Sequence, residues 1–131
     1  MASASNSLTS TVVAYLATQR LGRLATVDAY GAPQNNPVGF RFNAELGTID
    51  IFGRNMGRSR KFRNVTGNPR VAFVVDDLAS IQPWRPRCVE IRGRAEALRD
   101  QQAPTSGMSG EVIRIYPERV ISFGLDEQTT A

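Results

Sequence analysis

The sequence of 131 residues contains no histidine and only one cysteine, Cys88. Without histidine, the chain cannot build a Ser-His-Asp triad, a histidine-ligated zinc site or a histidine-ligated haem. A single cysteine excludes an internal disulfide and is typical of proteins kept in a reducing compartment. We therefore expect a cytoplasmic protein with no protein-built metal site.

Long hydrophobic runs are also missing, because no apolar stretch approaches the roughly 18 residues that cross a membrane. The opening residues MASASNSLTS lack the basic and apolar regions of a secretory signal, so we expect no membrane partner. Hydrophobic residues make up 41% of the chain and charged residues 21%, which is ordinary for a globular protein. The length predicts a single domain over residues 1–131, with flexible tails at 1–6 and 127–131.

The spacing of the apolar residues changes from helical to alternating along the chain, which indicates a mainly β protein with short helices. Residues 7–20 carry apolar side chains at helical spacing and predict an N-terminal helix. Six or seven strands follow at hairpin spacing, two of them on either side of Pro117. The run RVAFVVDD is continuous and predicts a strand buried on both faces. Together these elements predict an antiparallel sheet curled into a β-barrel.

Positive charge is concentrated in GRNMGRSRKFRNV, residues 53–65. The chain has sixteen basic residues, all arginine except Lys61, and a net charge of +4. The pattern predicts a strand leading into a helix capped by Ser59, whose unpaired backbone N–H groups attract an anion. A solvated charged helix is the alternative, but cations at a helix N-terminus oppose the helix dipole by about 0.3–1 kcal/mol each. A bound phosphate relieves that cost, so we predict a phosphate site here.

A nucleic acid is the rival polyanion for this segment. Proteins that bind single strands without sequence preference combine a basic track with exposed aromatic side chains on which bases stack. Here Phe52, Phe62 and Phe73 fall at positions that the core needs, and no nucleic-acid motif is present. We therefore expect no nucleic-acid partner.

Four segments in order resemble the pyridoxamine-phosphate-oxidase-like split β-barrel proteins. GRSRKFRNVTGNPRVAFVVDD is similar to the segment in which those proteins bind the cofactor phosphate. YLATQRLGRLATVDAYGAPQNNPVGFRFN, IDIFGRNMG and IRIYPERVISFGLD resemble more narrowly the branch that uses the deazaflavin coenzyme F420. Within that branch, the subgroup containing the oxytetracycline-biosynthesis reductase is most similar. The resemblance runs from Tyr15 to Asp126 and implies a six- to seven-stranded antiparallel split β-barrel.

The resemblance also implies a homodimer with two cofactor sites at the subunit interface. Ser59, Arg60 and Lys61 would bind the cofactor phosphate, with Arg58 beside them. The remaining cofactor-binding residues would lie along or beside the ring; they are Pro37, Val38, Gly39, Arg54, Asn55 and Met56. The FMN oxidases of the family carry an additional basic residue in the strand matched by NNPVGFRF, for which Arg41 is the nearest candidate. The strand thus lacks a clear counterpart of that basic residue, and this departure from the FMN pattern favours F420 over FMN. The surplus of arginine also favours F420, because F420 carries more negative charge than FMN.

The function implied is an F420H2-dependent reductase that transfers a hydride to a conjugated C=C or C=N bond of a small metabolite, such as a polycyclic, tetracycline-like compound. An FMN-dependent oxidase or reductase on the same fold is one alternative. A protein that binds a flavin or a tetrapyrrole without turnover is the other. Hydride transfer is the cofactor's own chemistry, so the missing histidine is no objection.

Outside the cofactor segment, IQPWRPR, residues 81–87, is the candidate for contact with the substrate. Trp84 stands between two prolines, and Arg87 follows it. The pair would form a wall or lid near the substrate, in the same subunit or across the dimer, with the Trp84 ring stacked on a planar substrate; alternatively, Trp84 would anchor the loop on the partner subunit. Tyr116, Tyr30, Arg87 or water would deliver the proton that completes a reduction. The sequence does not choose among them and assigns no catalytic residue.

Overall fold

The computed structural model describes residues 2–125, which contain eight β-strands and two α-helices. The predicted tail at 127–131 lies outside these residues. The strands are β1 Ala2–Ser5, β2 Leu21–Val27, β3 Pro33–Gly39, β4 Arg41–Asn43, β5 Thr48–Ile51, β6 Arg70–Ser80, β7 Arg85–Leu98 and β8 Val112–Phe123. The helices are α1 Ser10–Leu16 and α2 Arg60–Gly67, and a 3₁₀ turn at Met56–Arg58 precedes α2.

All strands pair antiparallel in one sheet of order β3-β2-β6-β7-β8-β5-β4, with β1 added beside β8. The two ends of that order, β3 and β4, are consecutive in the chain and are separated only by Phe40. A sheet whose opposite edges are joined by one residue must curl until those edges come together. The fold is therefore the predicted antiparallel split β-barrel, with eight strands rather than six or seven.

Two local predictions near the ends of the chain were wrong. In both places the strands pair in a way that the local sequence does not reveal. Residues 2–5, predicted as part of a flexible tail, form β1 and pair with residues 120–123 of β8. The two strands predicted around Pro117 are one strand, because the β7–β8 ladder shifts register there and then continues. Pro117 lies opposite Gly93 at this irregularity, where the missing N–H of proline costs no ladder hydrogen bond.

The core fills the inside of the curled sheet. Alternating residues of β7 point into it, and Val89, Ile91 and Ala95 are buried as the alternation predicts. Helix α1 adds Val12, Tyr15 and Leu16, while α2 adds Phe62 and Val65. Both helices are too short to be stable alone, so this burial holds them in place.

Strand β6 departs from the prediction that both of its faces are buried. Val71, Phe73 and Val75 are buried, but Ala72 and Val74 on the other face remain partly exposed. The outer face of the sheet is therefore apolar in places and, at these two residues, only partly covered by the described part of the chain. None of the helices within residues 2–125 is long and apolar enough to cross a membrane.

Candidate functional site

Helix α2 begins directly after Ser59, as the sequence predicts. The Ser59 Oγ accepts a hydrogen bond from the Phe62 N–H at 3.2 Å and donates one to the Met56 carbonyl oxygen at 2.7 Å. This N-cap leaves the first backbone donors of the helix without internal acceptors. The N–H groups of Arg60 and Lys61 have no acceptor among residues 2–125. They mark the place where an anion would be stabilised.

The segment before α2 is held by the loop that joins β7 to β8. Ser109 makes three hydrogen bonds to it: its N–H and its Oγ donate to the Gly53 carbonyl oxygen at 2.8 and 3.0 Å, and its Oγ accepts from the Met56 N–H at 3.0 Å. The Glu111 carboxylate accepts from the Gly57 N–H at 3.0 Å. Hydrogen bonding from Ser109 and from the Gly57 N–H lowers the pKa of Glu111, which keeps this carboxylate ionised. Residues 53–57 are therefore a fixed wall rather than a free loop.

This wall and the end of β3 enclose a pocket of about 250 Å³, named here the cofactor pocket. Eight of the ten residues predicted to bind the cofactor line it, although they come from two separate parts of the chain. They are Pro37, Val38, Gly39, Arg54, Asn55, Met56, Ser59 and Lys61. The other two, Arg58 and Arg60, are exposed beside the pocket and do not line it. The structure thus gathers the predicted residues, and their binding of a cofactor stays a prediction.

A second hollow of about 520 Å³ adjoins the cofactor pocket, and Gly39 and Phe52 line both. We name it the Phe52 bay; Phe40, Arg41, Asp50 and Met108 are among its other lining residues. A third hollow of about 450 Å³ shares Arg41, Asp50 and Phe52 with the bay. The three hollows therefore adjoin one another in a row, and together they are named here the groove.

The lining of the groove includes one buried carboxylate, that of Asp50. Asp50 is only 5% exposed and accepts hydrogen bonds from Arg114 Nε and Nη2 at 3.0 and 3.1 Å. Thr48 Oγ1 and Asn43 Nδ2 donate to the same carboxylate at 2.9 and 3.0 Å. Arg41 lies directly opposite Asp50 in the β4–β5 ladder, is exposed, and forms no ion pair within residues 2–125. The Asp50 charge is compensated by Arg114, whereas Arg41 has no such partner among the described residues.

The two residues predicted to contact the substrate lie elsewhere in the fold. Arg87 pairs through two hydrogen bonds with Asp77 across the β6–β7 hairpin, and its guanidinium lies over the Tyr15 ring. Hydrogen bonding from Arg87 lowers the pKa of Asp77, while burial raises the pKa of the Tyr15 hydroxyl. Trp84, at the tip of the same hairpin, is 66% exposed. Neither Arg87 nor Trp84 lines the groove.

Of the groups considered as proton donors, none lines the groove either. The Tyr116 hydroxyl donates to Glu96 on the outer face of the sheet, and Tyr30 is almost fully exposed in the turn between β2 and β3. Sequence reasoning missed Phe52 and Met108 as residues of the groove. The only available signal was the position of Phe52 directly before the glycine that opens the basic segment.

Comparison with known proteins places this geometry in context. Residues 8–129 match the family model described as pyridoxamine 5'-phosphate oxidase. Over 120 residues the chain is 50% identical to the 5a,11a-dehydrotetracycline/5a,11a-dehydrooxytetracycline reductase of Streptomyces rimosus, a match that covers 87% of this chain and 81% of that protein.

Two solved structures extend the likeness to the fold. A putative pyridoxamine 5'-phosphate oxidase from Lactobacillus delbrueckii superposes with a TM-score of 0.68 at 25% identity, covering 88% of this chain and 94% of that one. A protein described as an F420 reductase superposes with a TM-score of 0.56 at 26% identity, covering 75% of this chain and 86% of that one.

Proposed function

The chain belongs to the pyridoxamine 5'-phosphate oxidase family, and from this premise we propose that it is an F420H2-dependent reductase of a small polycyclic metabolite. The 50% identity to a reductase of dehydrotetracyclines carries this proposal, because it extends over most of both chains and supports an oxidoreductase activity. The likeness to an F420 reductase supports the choice of cofactor. The bond reduced would be a conjugated C=C or C=N bond, and the substrate a tetracycline-like compound.

The residues of the cofactor pocket fit a cofactor that carries a phosphate. The N–H groups of Arg60 and Lys61 lack an acceptor among the described residues, and cationic side chains stand around them. A phosphodiester bound there would accept from both N–H groups and from the Lys61 ammonium. F420 also carries a glutamate tail with additional carboxylates. Arg54 in the pocket lining and the exposed Arg58 and Arg60 beside it suit those carboxylates, which FMN lacks.

When bound, reduced F420 supplies the hydride, so the work of the protein is to bind, orient and exclude water. Ser59 and Lys61 would fix the phosphate end, and the backbone of residues 37–39 would lie along the ring. Ser109 and Glu111 hold the opposite wall through Gly53, Met56 and Gly57. The groove has two carboxylates: Asp50 accepts four hydrogen bonds, and Glu45 lines only the third hollow, which shares no lining residue but Phe52 with the cofactor pocket. We therefore assign delivery of the proton to water.

We further propose that the protein acts as a homodimer with a cofactor site at each end of the interface. Support comes from large apolar side chains that are exposed near one end of the sheet. Ile81 and Trp84 at the tip of the β6–β7 hairpin are 73% and 66% exposed, and Leu78 and Phe123 stand close to them in the sheet. A contiguous apolar patch of this kind is typical of an interface. Light scattering on the purified protein should give twice the mass of the chain.

The test of the function is a fluorescence titration with F420 and, separately, with FMN. We expect F420 to bind with micromolar affinity or better and FMN to bind far more weakly. Lys61→Ala should weaken F420 binding by about 10- to 100-fold, because it removes a charge-assisted hydrogen bond worth about 1.5–3 kcal/mol. Arg70→Gln, an exposed position on β6 outside the groove, is the matched control and should leave the affinity unchanged.

Each other outcome of the titration has a definite meaning. Preference for FMN would assign the protein to the FMN-dependent oxidases and reductases of the family. Tight cofactor binding without turnover of any dehydrotetracycline would favour a binding protein instead. Absence of binding by both cofactors would overturn the proposal, and unchanged F420 affinity in Lys61→Ala would overturn the placement of the phosphate.

A further inference from the structure

We propose that the Phe52 bay is the substrate site and that Arg41 recognises an ionised oxygen at the edge of a fused-ring substrate. This inference rests on the proposed function and deepens it. The sequence predicts that Trp84 and Arg87 contact the substrate. The surface inferred here is a different one, the bay, which adjoins the cofactor pocket.

The position of the bay along the groove is the first reason. Ser59 and Lys61 line the cofactor pocket but not the bay, whereas Gly39 and Phe52 line both. Because the two hollows share Gly39 and Phe52, a ligand in the bay would lie next to a cofactor whose phosphate is held at Ser59 and Lys61, as hydride transfer requires.

The lining of the bay is the second reason. Its volume of about 520 Å³ lies within the range of small-molecule sites and is about twice that of the cofactor pocket, at about 250 Å³. Phe40, Phe52, Pro104 and Met108 give the bay apolar walls from three separate parts of the chain. Flat aromatic faces and a flexible thioether suit a planar ring system.

The third reason is the uncompensated charge at the far end of the bay. Asp50 is the nearest carboxylate to Arg41 in the β4–β5 ladder, but Arg114 already binds both of its oxygens. Arg41 therefore presents its guanidinium to whatever occupies the bay, and Arg20 lines the same hollow. A guanidinium beside an apolar wall favours a ligand with an enolate, phenolate or carboxylate at its edge over a neutral ligand. The substrate class is accordingly a fused-ring acid rather than a neutral ring system.

A matched pair of probes tests this directly by calorimetry, without turnover. Anthraquinone-2-carboxylate and anthraquinone-2-carboxamide have the same ring system and differ in charge. We expect the carboxylate to bind wild-type protein more tightly, and Arg41→Gln to weaken the carboxylate about tenfold while leaving the carboxamide within twofold. Arg70→Gln is the control for the loss of one exposed positive charge and should change neither probe. Met108→Ala should weaken both probes equally, because it removes apolar wall rather than charge.

Experiments with the cofactor distinguish a failure of this inference from a failure of the proposed function. Saturating F420 should leave carboxylate binding intact, and Arg41→Gln should keep F420 affinity within twofold of wild type, because Arg41 does not line the cofactor pocket. Displacement of the carboxylate by F420 would place the probe in the cofactor pocket and overturn the inference. Failure of both probes to bind, or an equal loss of both in Arg41→Gln, would also overturn it. Failure of F420 itself to bind would instead overturn the proposed function, and the probe titrations would still be decisive for the bay.

Discussion

Replacement of Arg87 by methionine tests whether this side chain stabilises the fold or binds the substrate. In the structure Arg87 Nε donates to Asp77 Oδ1 at 2.8 Å, and Nη2 donates to the other carboxylate oxygen. The Tyr15 hydroxyl donates to the same carboxylate at 2.9 Å, so the pair ties helix α1 to the β6–β7 hairpin. Methionine keeps most of the aliphatic volume over the Tyr15 ring and removes only the charge and the hydrogen bonds.

The expected size of the effect follows from the exposure of the pair. The side chains of Arg87 and Asp77 are 17% and 28% exposed, which lies between a surface pair worth at most about 1 kcal/mol and a buried pair whose disruption costs about 3–5 kcal/mol. We expect Arg87→Met to lower the free energy of unfolding by about 2 kcal/mol. In a chain of this length that corresponds to a fall in Tm of about 8 °C.

The assay is thermal unfolding followed by circular dichroism, with KM measured well below the transition. Arg85→Met, an exposed position two residues earlier on the same strand, is the matched control and should change Tm by less than 2 °C. A double-mutant cycle with Asp77→Asn should show that the two changes are not additive, because they remove one interaction. An unchanged Tm together with a raised KM would refute this reasoning and would restore Arg87 as a substrate contact.

Two further predictions concern the sheet and its pH dependence. Gly93→Ala should lower the free energy of unfolding, measured by chemical denaturation, by about 2–3 kcal/mol, because an added Cβ would lie 2.2 Å from the Tyr116 carbonyl oxygen in the adjacent strand. Gly67→Ala is the control and should leave the free energy of unfolding unchanged, because there is open space around Gly67. Because Arg87 holds the pKa of Asp77 below its usual value, the ionised Asp77 should stabilise the protein above about pH 4 and lose that contribution as the pH falls through the lowered pKa. The stability difference between wild type and Asp77→Asn should therefore shrink from pH 6 to pH 3 in thermal melts, and a constant difference would contradict the assignment.

Local features of the fold were predictable from the sequence because neighbouring residues determine them. Ser59 caps α2 through a hydrogen bond to the Phe62 N–H three residues later, and the alternation of Val89, Ile91 and Ala95 along β7 specifies which face is buried. The irregularity at Pro117 was not predictable in the same way. It depends on Gly93 in the neighbouring strand, whose missing side chain lets the Tyr116 carbonyl oxygen approach closely.

Pairing between distant segments explains the other departures from prediction. Residues 2–5 are small and polar and carry no strand pattern of their own, yet they pair with the end of β8, more than a hundred residues away. The ion pair of Arg87 with Asp77 was not predictable either, because nothing in IQPWRPR reveals that Asp77 lies across the hairpin from Arg87. In both cases the partner that determines the structure is absent from the local sequence.

The same distinction explains why the cofactor pocket was predictable and the Phe52 bay was not. The basic wall of the cofactor pocket lies within residues 53–61, so one continuous motif reveals it. The bay instead combines Phe40 and Arg41 at the edge strands, Asp50 on β5 and Phe52 directly after it, and Met108 in the loop between β7 and β8. That loop is attached to the cofactor wall through the Gly53 backbone, so side chains such as Met108 can vary without altering residues 53–61. On the proposed assignments, cofactor binding and substrate choice would be carried by different segments, so that proteins sharing the basic motif could accept different substrates.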